Sequence, residues 1–535
     1  MPSLVTTHFG IPILSILLIV PTLAAILVLA VRDVAASRRI AISSAVLGLG
    51  LAFAALLLFV KDLDSMQLVE TGLRLPIIGV RYRLGVDGLS ILLLPMTAGL
   101  TLSVLLSAPR YELDRGYLAA VLLLEAATLG IFEAMDLGVF LAFSTFALLP
   151  GFFLVATHGS SATRERAASI YGAYLLAGSI PLVFAVMMLG HEGRAQGLDT
   201  PFDLLELQRV GIPAGVQATV FTLVVVFVLV RSFLFPFHSW LPMTVEEGPL
   251  GIGVMLASVH VGAYTLARIA FPLLPVACSK YMLPLQTLAM ITILYGALLA
   301  YVQRGLRRKI AFMAISQSGL IMLGLAAHDT EGLAGAMLQG IAVGSGIAGL
   351  LLLTWALEGR TGSRLMQEFG GLIRTTPQMA TFFFVFGIAS VGFPGSLSFV
   401  GEDLLMHGAF AIHPIIAAVG LLGPALNGYT ILHAWSRTFL GGTRRDDHSS
   451  TARGVEDLLP REQIVGLMIA LVSIGGGIVP QSLLSVQHAA ILRMHPQDET
   501  QEGGAEHEAR EGRHGGGAAH GEPHAPGGTA HHPHH

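Results

Sequence analysis

Five residues of types that can hold or pass a proton stand in or beside apolar runs: Glu125, Arg231, His238, His260 and Glu402. Glu125 is in mid-run, in Leu122-Leu-Leu-Glu125-Ala-Ala, and nothing at the ends of its own helix accounts for it. A charged side chain at the centre of a membrane helix costs roughly 2.5–3.5 kcal/mol or more, so a charge kept there is a functional candidate by default. The bland reading of Glu125 is a buried structural hydrogen bond. His238 and His260 titrate near neutral pH, which suits a relay, although a lone histidine on an apolar helix is usually a packing residue. Arg231 is a permanent cation. It cannot pass a proton, but it can hold a carboxylate charged or lower a neighbour's proton affinity; its bland reading is snorkelling to the interface. Glu402 is read as the charged end of a second half-channel. Gln317 is polar but cannot titrate, and Glu133 and Asp136 are expected at an interface, in contact with water.

The elements that must position these groups are membrane helices. Of 535 residues, 53% are hydrophobic and 12% charged, against roughly 25% charged in soluble domains. Fourteen windows of about 20 apolar residues follow one another. Their limits are 11–31, 40–60, 88–108, 117–134, 137–157, 168–190, 216–236, 250–275, 282–302, 310–327, 331–357, 379–400, 404–434 and 463–483. The first has no small-residue cleavage site after it and is read as a retained helix. Loops after odd-numbered spans hold 19 arginines and lysines, those after even-numbered spans 7. The positive-inside rule therefore places both termini on the non-cytoplasmic side.

Two apolar segments carry a proline that must interrupt the helix. One is Arg231-Ser-Phe-Leu-Phe-Pro236-Phe-His238-Ser-Trp240-Leu-Pro242; the other is Val391-Gly-Phe-Pro394-Gly-Ser-Leu-Ser398, followed by Phe399-Val-Gly-Glu402. They end spans 7 and 12. Paired interruptions at matching places in two halves point to an inverted-repeat transporter with its ion path at the breaks, whereas either one alone is an ordinary kink. The single cysteine, Cys278, excludes an internal disulfide and any cysteine-ligated cluster. No phosphate loop, dinucleotide fingerprint or metal ligand set is present, and the net charge of −4 gives no reason to expect nucleic acid. Only three of 31 basic residues are lysines (Lys61, Lys280 and Lys309), all at the ends of apolar runs. After about residue 495 the chain is rich in Gly, His, Glu and Pro, with eight histidines from His507 to His535. That composition reads as a solvated tail, with weak metal buffering as the other possibility.

In order along the chain, Gly85-Val-Asp87-Gly-Leu-Ser90, Phe235-Pro236-Phe-His238-Ser-Trp240-Leu-Pro242, Gly262-Ala-Tyr264 with Arg268, Leu306-Arg-Arg308-Lys-Ile-Ala311-Phe, and Phe393-Pro394-Gly with Phe399-Val-Gly-Glu402 resemble the proton-translocating, antiporter-like membrane subunits of respiratory complex I. The resemblance covers about residues 80–440 and is greatest to subunit M (chain 4), of which this chain looks like a divergent member. It implies a glutamate in span 5 paired with a lysine in span 7, a relay lysine in span 8, two later histidines, and an acid in span 12. Aligned on Pro150, the glutamate position is Thr145; aligned on Pro236, the lysine position is Arg231; the span-8 lysine is His260. The two histidine positions are Gln317 and Val343, and the span-12 acid is kept as Glu402. A neutral threonine opposite a fixed guanidinium cannot be toggled by proton loading unless Glu125 or Glu133 compensates.

These readings predict an all-α integral membrane protein of about fourteen transmembrane helices, with two inverted five-helix repeats and proline-broken helices 7 and 12. The expected parts are helices 1–3 (residues 1–110), a first repeat of helices 4–8 (111–275), a second of helices 9–13 (276–440), helix 14 (441–490) and the tail (491–535). The resemblance implies a subunit of a complex I-like NADH/quinone oxidoreductase in a prokaryotic inner membrane. NADH, FMN, iron–sulfur clusters and quinone would then lie in partner subunits, with other membrane subunits and lipid as this chain's partners. Relatives of the same subunit serve cation/proton antiporters and inorganic-carbon uptake complexes, which is the second reading; a non-conducting structural subunit is the third.

Overall fold

The computed structural model describes residues 10–63, 65–75, 78–109, 113–159, 163–440 and 455–494. The expected tail began at 491, but residues 491–494 instead close the helix Pro480–Met494, and the rest of the expected tail lies outside the described residues. Among the described residues, twelve helices are long and apolar enough to cross a membrane: α1 (Ile13–Ala30), α2 (Val34–Leu58), α4 (Arg115–Glu133), α5 (Leu137–His158), α6 (Arg164–Ala195), α7 (Ala214–Arg231), α9 (Leu250–Leu273), α10 (Pro275–Val302), α11 (Leu306–Ala327), α12 (Thr330–Thr361), α15 (Pro414–Leu440) and α16 (Pro460–Ile478). Two shorter apolar helices, α3 (Leu93–Ser107) and α13 (Pro377–Ala389), join them. In hydrocarbon a segment must satisfy its own backbone groups, and an α-helix does so. The loop residues then stop each helix. Asp33, Asp114, Asp203, Asp329 and Ser396 accept backbone N–H groups at helix starts, as N-cap residues do. The chain is a multi-pass membrane protein.

The structure corrects several expectations. The all-α membrane class holds, but the segment 61–87 is not only a connection: β1 (Gln67–Leu75) and β2 (Val80–Val86) form an antiparallel hairpin. Glu70 of β1 reaches the start of α1, where its carboxylate accepts Leu14 N at 2.7 Å and Ser15 N at 2.9 Å. The window 404–434 fuses two helices. Its first part belongs to α14 (Leu397–Ile412), the continuation of the broken twelfth span, and α15 starts afresh at Pro414. The junction is the single residue His413 before Pro414, which a hydrophobicity window about 20 residues long averages away. Asp136 and Glu133 are buried rather than wetted. Asp136 caps α5 through Gly138 N and Val139 N and also accepts Arg81 N.

Lys309 was expected at a helix end, and it is there, but completely buried. Its ammonium donates to Ala300 O at 2.8 Å and Tyr301 O at 3.0 Å, the closing carbonyls of α10. The neighbouring Arg307 holds Glu358 of α12 with two nitrogens, at 2.8 and 2.5 Å. It also donates to Gly248 O, which follows α8 (Trp240–Glu247). The cationic run 306–312 thus ties three helix ends together at one face of the bundle.

Candidate functional site

The first break begins where α7 ends at Arg231. Residues 232–239 are non-helical, Phe233 takes a left-handed backbone (φ 44°), and α8 begins at Trp240. Freed backbone groups at such a point persist only against protein or water, and here they find protein. Trp240 Nε1 donates to Val230 O at 3.0 Å, Ser318 Oγ of α11 to Ser232 O at 2.8 Å, and Phe235 N to Thr292 Oγ1 of α10 at 3.1 Å. Pro236 supplies no N–H to be satisfied. The second break runs from Ser390 to Ser396, with Pro394 inside it and Gly392 and Gly395 at positive φ (74° and 92°). There Gln317 Nε2 donates to Ser390 O at 3.0 Å.

A third interruption was not expected. The helix stops at Ser258, Val259 is extended, and His260 begins the next turn. The mid-span histidine therefore sits at a helix interruption inside α9. Its ring is 6.1 Å from that of Phe233 in the first break, and neither ring nitrogen has a hydrogen-bond partner among the described residues. Glycine at 262 is what lets α9 approach so closely: a Cβ there would collide with Ser232 Oγ.

Arg231 is 9% exposed and forms no ion pair among the described residues. Its guanidinium lies 6.0 Å over the Phe227 ring, and the charge acts on Tyr171 of α6. The Tyr171 hydroxyl is itself buried without a partner among the described residues. Compensation by Glu125 or Glu133 is not found: neither carboxylate touches Arg231. Glu125 faces α2, where a Cβ on Gly48 would sit 3.4 Å from its Oε1. Thr145 is exposed on the outside of this chain's bundle, while the adjacent Ser144 is buried. His238 Nε2 lies 3.1 Å from the Tyr295 hydroxyl. At the second break Glu402 points at Gly392, with Oε2 buried and unpartnered among the described residues. Val343 is packed in the core of α12.

The structure therefore brings Arg231, His238 and His260 around the first break and Glu402 to the second, with Gln317 between them. It leaves Glu125 on the α2 side and Thr145 outside. Among the described residues no three His, Cys, Asp or Glu side chains group to hold a metal. Residues the sequence did not single out are Tyr171 and Ser318; their signal was only a hydroxyl within an apolar helix, too common to act on.

The motifs at 85–90 and at 268 also acquire a role. Buried Asp87 accepts Leu89 N at 3.1 Å and Ser90 N at 3.3 Å, and pairs with Arg268 of α9 at 2.6 Å and with Arg493 at 3.0 Å. Arg493 belongs to α17 (Pro480–Met494). Burial alone would raise this carboxyl, but Arg268 and Arg493 outweigh it and hold it below the ordinary aspartate value. Gly88 is required because a Cβ would strike the α17 backbone at Val486 O.

The family described as NADH:quinone oxidoreductase/Mrp antiporter, TM, matches residues 134–425, which contain both proline breaks. The chain belongs to this family. Subunit M of the NADH-quinone oxidoreductase of Pseudomonas aeruginosa is 31% identical over 424 residues, covering 77% of this chain and 82% of that one. The F(420)H(2) dehydrogenase subunit M of Methanosarcina mazei is 29% identical over 437 residues, covering 80% and 88%. Among solved structures, a chain of respiratory complex I from Thermus thermophilus superposes with a TM-score of 0.81 at 28% identity, covering 90% of this chain and 99% of that one. As a member of the NADH:quinone oxidoreductase/Mrp antiporter family, the chain has the architecture of the complex I membrane subunits.

Proposed function

We propose that this chain is the proton-translocating membrane subunit of a complex I-like NADH/quinone oxidoreductase in a prokaryotic inner membrane, with both termini on the non-cytoplasmic side. The observation that carries the reading is the pair of proline-broken helices, each flanked by an ionisable group with no ion-pair partner among the described residues: buried Arg231 at the first and half-buried Glu402, its Oε2 enclosed, at the second. Half-helix ends of this kind place charge at membrane depth, where it serves an ion path. Redox chemistry, with NADH, FMN, iron–sulfur clusters and quinone, belongs to partner subunits. Residues 111–275 and 276–440 are read as the two inverted repeats.

The Glu–Lys switch that the resemblance implies does not operate in its usual form here. Thr145 carries no charge, and Arg231 stays protonated at every physiological pH. Arg231 acts instead as a fixed positive potential beside the first break. His238 and His260 are its titratable neighbours, Glu402 is the terminal acid, and Glu125 is a separate buried proton-binding position. Gln317 and Val343 supply no titratable step, so water must bridge the centre.

Mild-detergent purification through this chain, with mass spectrometry of what accompanies it, tests the assignment. Flavin, iron–sulfur and quinone-reducing subunits are the expected company. A set of small antiporter subunits, or a large soluble zinc subunit, would replace this reading with a gradient-driven transporter, which the family's breadth keeps as the second reading.

A further inference from the structure

The half-helix α14 buries one side and leaves the other open. Leu397, Gly401, Leu405 and Gly408 face inward. Phe399, Asp403, His407 and Phe410 are exposed and recur at helical spacing, which makes them one outward stripe. The Asp403 and His407 side chains are 61% and 69% exposed. Open faces elsewhere in the bundle carry what hydrocarbon requires, such as Leu23 and Ile26 on α1 and Ile180 and Phe184 on α6.

Close glycine contacts fix the depth of this stripe. A Cβ on Gly408 would strike Asp329, the N-cap of α12. One on Gly335 of α12 would strike Leu405 N, and one on Gly401 would crowd Gln339. Asp403 is therefore level with the stretch between Gly335 and Gln339, roughly 9–15 Å inside that cap at 1.5 Å per residue. Helix α11 ends beside the same cap, and its 22 residues are about 33 Å long, little more than the hydrocarbon layer of about 30 Å. Its end thus marks the membrane face, and Asp403 is inside the hydrocarbon. His407 is one turn nearer the face. Phe410, Ile412 and Ile415, nearer still, are exposed and apolar, so apolar surface frames the polar pair on both sides.

A carboxylate at this depth is costly against lipid and is kept where it meets protein or water. His407 does not close it off: Nδ1 is 3.2 Å from Asp403 O and 3.9 Å from its Oδ1. Among the described residues Asp403 has no lysine or arginine partner. The break before α14 carries the same requirement. Phe393, Pro394 and Gly395 are exposed, and non-helical backbone at membrane depth is tolerated only where protein or water covers it. A lipid amine would have to leave the interface to reach Asp403. An arginine or lysine on a neighbouring membrane helix arrives at the right depth, and the apolar flanks suit the rest of that helix.

We propose that the stripe from Phe399 to Phe410 on α14 is a docking surface for a membrane helix of another subunit, which sets an arginine or lysine against Asp403. His407 is a second hydrogen-bonding group beside that contact. The inference rests on the multisubunit reading above. Glu402, next in sequence, points inward at Gly392, so the partner is held by the same half-helix that carries the acid of the second break.

The test uses the assembled complex in native membranes. The chain's one cysteine, Cys278, is buried, so Phe410→Cys in a Cys278→Ala background takes a benzophenone maleimide on the stripe. Illumination should join this chain to one other membrane subunit, with an arginine or lysine within about two turns of the attachment point. Asp403→Leu should lower co-purification of that subunit about tenfold or more, the scale on which losing one partner of a desolvated ion pair is felt. Asp403→Glu should keep it. Asp403→Arg should lose it, and replacing the partner's cation by glutamate should restore it, which a merely structural role would not do. Adducts with lipid alone or with a second copy of this chain overturn the docking surface and leave the multisubunit reading standing. Equal co-purification by the wild type and Asp403→Leu does the same. If Asp403→Leu does not assemble, the cross-link from Phe410→Cys decides alone. Absence of flavin and iron–sulfur subunits overturns the oxidoreductase reading, while a cross-link to an antiporter subunit bearing the cation would still uphold the docking surface.

Discussion

Gln317 and Ser318, consecutive on α11, bond the carbonyls freed at the two different helix breaks: Gln317 Nε2 to Ser390 O at 3.0 Å and Ser318 Oγ to Ser232 O at 2.8 Å. Neighbours on a helix point about 100° apart, so one turn of α11 reaches both interruptions. The helix stands between the two breaks and satisfies a backbone acceptor in each. The same turn adds Ser316, whose hydroxyl donates to Ile293 O at 2.9 Å and accepts from Asn427 at 2.9 Å.

Removing either donor should be felt, though modestly. Ser318→Ala leaves Ser232 O without its side-chain donor. In water-soluble proteins an orphaned buried acceptor costs about 1–3 kcal/mol, but hydrogen bonds between membrane helices average about 0.6 kcal/mol because the unfolded state also finds partners. The membrane figure governs here, so a loss near 1 kcal/mol is expected for Ser318→Ala and for Gln317→Leu. Thermal unfolding of the purified complex measures it, and a loss above about 3 kcal/mol would mean that α11 does more than close two carbonyls.

Gly392→Ala should silence the second half-channel without changing any titratable residue. At φ 74° an alanine is strained, by roughly 1–2 kcal/mol, and its Cβ would collide with the Glu402 carboxylate. Glu402 must then swing away from the break. Proton uptake by the reconstituted complex should fall in Gly392→Ala about as far as in Glu402→Gln. Normal uptake in both variants would remove Glu402 from the path.

Most of this fold was legible because its dominant signal is simple: apolar runs of membrane length and prolines that cannot donate. The breaks at Pro236 and Pro394 follow from that chemistry. What escaped was structure that a hydrophobicity window averages away. The hairpin at 67–86 mixes polar and apolar residues in an irregular register, and the bend at His413-Pro414 lies inside one apolar window. The interruption at His260 lies in an apolar run with no proline before Pro272. In the site, identities were readable but directions were not. Thr145 and Ser144 differ by one position, yet one is outside the bundle and the other inside, and only the packed helix fixes which. Asp87 and Arg268 stand 181 residues apart, so their pairing could be read only in three dimensions.

That direction changes the expected result of restoring the switch. Thr145→Glu combined with Arg231→Lys recreates the residue types of the Glu–Lys pair, but the new carboxylate would be on the exposed side of α5, away from the break. Proton uptake should therefore change less than about twofold from that of Arg231→Lys alone, because an ion pair needs its groups within about 4 Å to act strongly. A large gain in the double variant over Arg231→Lys would show that α5 rotates in the assembled complex.

Asp87 should help hold α17 in place, through its pair with Arg493, and its effect should have a defined pH window. Its carboxylate pairs with Arg268 of α9 and with Arg493 of α17 in a buried cluster. Removing one partner of a buried ion pair costs about 3–5 kcal/mol, so Asp87→Ala should destabilise strongly and expose α17 to protease. The folded-state value of Asp87 is depressed, because its two arginines overcome the opposing effect of burial. A depressed acid contributes stability that is fully present above its unfolded value of about 3.9 and is lost as pH falls through the folded value. The wild-type advantage over Asp87→Asn should therefore be flat between about pH 5 and 8 and shrink only below about pH 4. Denaturation midpoints across that range measure it. An advantage that fell between pH 5 and 7 would mean that a group other than Asp87 holds α17 in place.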